Sequence, residues 1–80
     1  MIITTRVKDS YSLGQIMQQG RLNQGFSQRD IADKLGISQK WVWEMEQGKT
    51  GLLMERLFKM LESAGITLLA EIEVKDRPEI

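Results

Sequence analysis

Apolar residues in this chain recur at helical spacing in four blocks, and glycines close the blocks. "SLGQIMQQGRLNQG" sets Leu13, Ile16 and Met17 on one stripe that Gly20 continues, behind a Ser12 cap with Gln15 three residues on. That pairing is a capping box, in which two side chains satisfy orphan backbone N–H groups at the helix start. A glycine inside a helix costs about 1 kcal/mol against alanine, so Gly20 predicts a close approach by another helix. Gly25 ends the block. "FSQRDIADKLG" repeats the plan with Ser27 as cap and Asp30 three residues later. Phe26 and Ile31 form a hydrophobic staple, Ile31, Ala32 and Leu35 face inward, and Gly36 terminates. "ISQKWVWEMEQG" follows at once, capped by Ser38 and closed by Gly48.

The fourth block is "LLMERLFKMLESAG". Leu53, Leu57, Met60, Leu61 and Ala64 fit one inward face, while Leu52, Met54 and Phe58 add more apolar surface than a globular surface helix needs. Some of it is therefore available to cover a partner. After Gly65 the period changes to two. Ile66, Leu68, Ala70, Ile72 and Val74 alternate with Thr67, Leu69, Glu71, Glu73 and Lys75, which predicts a strand over 66–75. "IITTRV" near the start is also strand-like. A lone strand leaves unpaired N–H and C=O groups along both edges. It must pair with the N-terminal segment or with the same strand of a second chain. The organisation expected is an N-terminal extension with strand character (1–10), a helical domain (11–65), a strand for dimerisation (66–75) and a polar, fraying tail (76–80). The second and third helices, joined across Gly36-Ile37-Ser38, have helix-turn-helix spacing.

Composition narrows the chemistry. Eighty residues make one small domain, whose core supplies only about 3–5 kcal/mol of net stability. There is no cysteine and no histidine, so thiolate nucleophiles, disulfides, zinc–thiolate sites and the commonest general base are missing. With no clustered carboxylates in a glycine-rich pocket, an enzyme is not expected, nor a metal or cofactor. Oligomerisation is the staple left. No run approaches the ~18 apolar residues of a membrane span, and the start lacks a signal-peptide pattern, which predicts a cytoplasmic protein with no membrane partner. Net charge is zero, mild evidence against a nucleic-acid binder. Residues 1–50 nevertheless carry seven Lys/Arg against five Asp/Glu, and residues 51–80 four against six. Any anion-binding surface should lie in the first half.

"FSQRDIADKLGISQKWVWEMEQGKT" resembles the helix-turn-helix of the Xre family, which includes the phage Cro and CI repressors. Gln28 opens the second helix, Ala32 sits in its middle, and Gly36-Ile37 form the turn. Ser38-Gln39 open the third, and Glu46 stands two residues before Gly48-Lys49. The resemblance runs roughly from Leu13 to Ala64. It implies a mainly α, lambda-repressor-like bundle of four to five helices, with the short C-terminal strand open to pairing across a dimer. Trp41 four residues before Met45, then a leucine-rich helix and an apolar strand, is similar to the HipB-like antitoxins. That implies a homodimer with paired C-terminal strands, which binds a palindromic operator in double-stranded DNA in the nucleoid, represses its own operon and neutralises a HipA-like kinase toxin. A stand-alone phage-type repressor is the nearest alternative. A protein-binding module with weakened DNA binding is the other.

In such a motif the third helix enters the major groove. Gln39 opens it, and its amide can pair bidentately with adenine. Lys40 points the same way, toward guanine or a phosphate. Ser38 caps the helix and can also touch a phosphate. Gln28, at a helix N-terminus where N–H groups favour anions, is implied by the resemblance to clamp the backbone and brace Gln39. Arg29 and Lys49 are phosphate candidates. Each of these also has an ordinary reading as a solvated side chain. Arg21 and Glu46 are implied to form a buried ion pair and are structural.

The tryptophans sit at i and i+2, so they cannot share a face. With about 100° per residue and Val42 and Met45 as the buried direction, Trp41 falls about 70° away and Trp43 about 130° away. Trp41 is therefore expected at least half buried, against the fourth helix or the turn, and Trp43 exposed on the reading face. The family more often has a small hydroxyl residue at that position. A thymine methyl, a sugar, a steric block or a protein interface are all open to Trp43. Glu44 beside it repels phosphate unless it accepts from a cytosine amine.

Overall fold

The computed structural model describes residues 1–75; the tail expected at 76–80 lies outside the described residues. The order is β1 (Ile2–Val7), α1 (Ser10–Asn23), α2 (Gln28–Leu35), α3 (Gln39–Glu46), α4 (Leu52–Ser63) and β2 (Leu68–Glu73). It is a mainly helical domain with a two-stranded antiparallel ribbon joining its ends.

The short helices start where their side chains can cap. Ser27 Oγ accepts from the Asp30 N–H at 3.0 Å, and Asp30 accepts from the Ser27 N–H at 2.8 Å. Hydrogen bonding from Ser27, its backbone N–H first and its side chain second, holds the Asp30 carboxyl below its ordinary range. Ser38 Oγ accepts from the Trp41 N–H at 3.1 Å. α1 departs from expectation. It begins at Ser10, and its cap is Asp9, not Ser12. Asp9 accepts from the Ser12 N–H at 2.7 Å, and Ser12 Oγ accepts from the Asp9 N–H at 3.0 Å. Two capping boxes overlap in this sequence. The earlier one wins because a carboxylate favours the positive helix end and an extra turn forms.

Beyond that first turn, α1 packs closely on the end of α3. A Cβ at Gly14 would lie 2.5 Å from the Glu46 carbonyl oxygen and 2.6 Å from that of Met45. Gly14 is the close approach; at Gly20, expected to be one, a Cβ would meet nothing within 4 Å.

β1 takes one edge of β2, so the N-terminal pairing is realised within the chain. Ile3 faces Ile72, Thr5 faces Ala70 and Val7 faces Leu68. These residues share one side of the ribbon. Ile2, Thr4 and Arg6 lie on the other with Leu69, Glu71 and Glu73.

The core is thin. Among the described apolar residues only Val7, Ala32, Val42 and Phe58 are buried, and no large described side chain is fully enclosed. Leu35, expected inward, is exposed. α4 is turned from the expected orientation: Phe58 is buried with Met54 and Leu61 beside it in partial burial, while Leu53, Leu57, Met60 and Ala64 face out. The apolar arc of α4 is wider than one stripe, and its Phe58 half, not its leucine half, meets the body of the domain.

Candidate nucleic-acid interface

The frame behind the site is an ion pair. Arg21 Nε donates to Glu46 Oε2 at 2.7 Å and Nη2 to Oε1 at 3.0 Å, tying α1 to the end of α3. Arg21 Nη1 also donates to the Phe26 carbonyl at 2.7 Å, which fixes the loop before α2. Both side chains are nearly enclosed. Burial pushes the Glu46 carboxyl up, but hydrogen bonds from Arg21 and Gln28 and the guanidinium charge outweigh it, so the group sits below its ordinary range. The hydrogen bond to Glu46 raises Arg21.

Gln28 joins this frame. Its Nε2 donates to Glu46 Oε1 at 3.1 Å. The expected bracing of Gln39 has no direct hydrogen bond here; Gln39 lines a concavity with Gln28, and the Gln28 amide nitrogen is held by the carboxylate behind it. Its position is thereby set by α1 and α3 together.

The side chains expected to read DNA largely converge. Gln28, Gln39, Lys40 and Trp43 line one shallow concavity between the starts of α2 and α3. Ser38 stands at its edge with Oγ engaged as the cap. Arg29 is exposed next to Gln28 but outside that lining. Lys49 is brought in by the turn after α3, where its N–H donates to the Glu44 carbonyl at 2.9 Å. Its ammonium lies 4.7 Å from the centre of the Trp43 ring, a cation–π contact. This placement was invisible to helical periodicity, because Lys49 lies beyond the helix end. The role of Glu46 in holding Gln28 was missed for a similar reason: the two are far apart in sequence. Glu44 is partly shielded.

The tryptophans correct the angular estimate. Trp41 is 51% exposed and Trp43 43%, so the residue expected to be sheltered is the more open one. Trp41 lines an apolar concavity with Met17, Phe26, Ile31 and Leu35, on the α1–α2 side and not against α4. Trp43 is shielded by Lys49 and by its neighbours in the concavity.

The arrangement offers amide and ammonium donors around one aromatic edge, on a helix start, with Lys49 over the aromatic ring and Arg29 beside Gln28 as two further cations. Such a surface can hold phosphates and read base edges. Among the described residues no group of His, Cys, Asp or Glu could hold a metal ion, and no helix is long and apolar enough to cross a membrane. A family model described as a helix-turn-helix domain matches residues 12–66. No curated protein and no solved structure matches the chain.

Proposed function

The chain belongs to the helix-turn-helix domain family, and from that premise we propose that it is a sequence-specific DNA-binding repressor acting as a homodimer. The observation that carries the reading is the convergence of Gln28, Gln39, Lys40 and Trp43 on one concavity at the starts of α2 and α3. α3 is the recognition helix. Gln39 reads adenine, Lys40 reaches guanine or phosphate, and Arg29, Ser38 and Lys49 grip the backbone on either side. Gln28 borders the same surface with its amide nitrogen held by Glu46. Trp43 presents an aromatic edge where a thymine methyl or a sugar can pack. A two-fold dimer then requires a palindromic double-stranded operator with half-sites about one helical turn apart, or a multiple of it.

Base-reading and phosphate-holding residues separate in one experiment. Gln39→Ala is expected to cost about 1–3 kcal/mol at a single base position with the fold intact. An equal loss on every sequence would remove Gln39 from the base-reading role. Lys49→Ala is expected to weaken binding to all sequences and to lower the salt slope by about 0.9. An unchanged slope would remove Lys49 from the phosphate contacts.

The biological setting favoured by the resemblance to HipB-like proteins is an antitoxin, which represses its own operon and neutralises a HipA-like kinase toxin. The exposed apolar surface around Trp41 supports a protein partner in addition to DNA. A kinase-like gene beside this one, and a complex between the two products, tests it; free mixing without a complex points to a stand-alone phage-type repressor. Response of the tryptophan fluorescence to a protein partner but not to operator DNA would favour a protein-binding module.

A further inference from the structure

We propose that the outward face of α4 is an antiparallel seam to a second copy of this chain. The proposal rests on the dimeric reading above and names the surface that makes the dimer. Leu53, Leu57, Met60 and Ala64 follow one another at spacings of four, three and four, the spacing of a coiled-coil seam. In the chain alone they are open to solvent, Leu53 at 80% and Met60 at 72%.

α4 is poorly supported without them. It has twelve residues, and isolated helices shorter than about 12–15 residues are marginal in water. Its cap, Gly51, makes no side-chain hydrogen bond, and Phe58 is its only buried residue. Most of the stability of such a helix comes from packing an apolar face, so a partner on the open face supports it. A second copy is the partner supplied in fixed proportion whenever the chain is made.

The seam is self-complementary in size. Leu53 and Ala64 are equidistant from a point midway between Leu57 and Met60. An antiparallel two-fold through that point sets Leu53 against Ala64 of the second copy and Leu57 against Met60 of the second copy. Large meets small at both ends, and each contact occurs twice, as a two-fold interface requires. At about 100° per residue, Glu55 and Glu62 lie on the far side of the helix. Arg56 is the charge that flanks the seam, and its aliphatic stem can cover the rim.

The absence of native cysteine makes the test clean. The full chain is expected to sediment as a dimer without DNA. Met60→Arg, at a site already open to solvent, is expected to raise the dimer dissociation constant at least about thirtyfold while the helical circular dichroism at high concentration persists. For register, Leu53→Cys and Ala64→Cys chains are mixed and oxidised. A disulfide is expected between the two kinds of chain and not within either kind alone. Like positions would stand about 16 Å apart along the helices, beyond the roughly 7 Å a disulfide can bridge. Cross-linking of Leu53→Cys with itself would overturn the antiparallel seam. A native dimer with no cross-link would move the interface elsewhere, to the open ribbon edge. A monomer at all concentrations would overturn the dimeric reading as well.

Discussion

Glu46→Ala is expected to unfold most of this protein at room temperature. The substitution strands a guanidinium whose side chain is 9% exposed and frees the Gln28 amide from its acceptor. Removing one partner of a buried pair costs about 3–5 kcal/mol. A domain this small has about that much in total from its own core. Urea unfolding of wild type and variant at one protein concentration measures the difference; a loss below about 1 kcal/mol would show that the pair is not the frame described. Replacing Arg21 and Glu46 together by Met and Leu is expected to recover much of the loss, because no charge is left buried. The pair also sets the acid limit. The Glu46 carboxyl is held below its ordinary value in the folded state. Its share of stability is therefore complete above the unfolded value, about pH 4.3, and is lost as pH falls through the folded value. Asp30 is depressed in the same direction. Glu46→Gln should accordingly flatten most, and not all, of the acid branch of the stability curve.

Gly14→Ala carries the second large effect. A single methyl at that position would overlap two carbonyl oxygens at the end of α3. Those atoms are backbone and cannot swing aside, so α1 and α3 must separate. Overpacking typically costs about 1–3 kcal/mol, and more where the neighbours are rigid; about 3 kcal/mol is expected here. Because the same carbonyls flank the Arg21–Glu46 pair, the shift should also loosen Gln28 and weaken operator binding beyond the loss of folded protein. Gly20→Ala is the control. It sits in the same helix with nothing within 4 Å of the new methyl, and alanine is the better helix former by about 1 kcal/mol. Thermal melts of the two variants should move in opposite directions. A stabilising Gly14→Ala would refute the close approach of α1 and α3.

Much of the motif was legible because its determinants are local. The Ser27–Asp30 box, the Ser38 cap and the glycine-closed turn are decided within four residues of chain, so spacing alone finds them. The Arg21–Glu46 pair was reached through family resemblance, since no local rule joins residues on different helices. Where two local solutions compete, spacing cannot choose, and the α1 cap expected at Ser12 falls at Asp9 for that reason. Gly14 and Gly20 lie six residues apart on one helix, and only the point where α3 crosses it distinguishes the useful glycine from the idle one. α4 presents apolar residues over a wide arc, and periodicity does not say which half meets the domain. The tryptophans show the same limit: helical periodicity fixes the angle of each about α3, but exposure depends on what stands opposite. Lys49 folds back over Trp43, and among the described residues no element covers the outer face of Trp41.

The sequence by itself determined the four helices, the Ser27 and Ser38 caps and the start of α3, because short-range hydrogen bonding and glycine placement carry that information. Tertiary structure alone decided which glycine is tight, which face of α4 is left open and what holds Gln28, because each of these is a contact between segments distant in the chain.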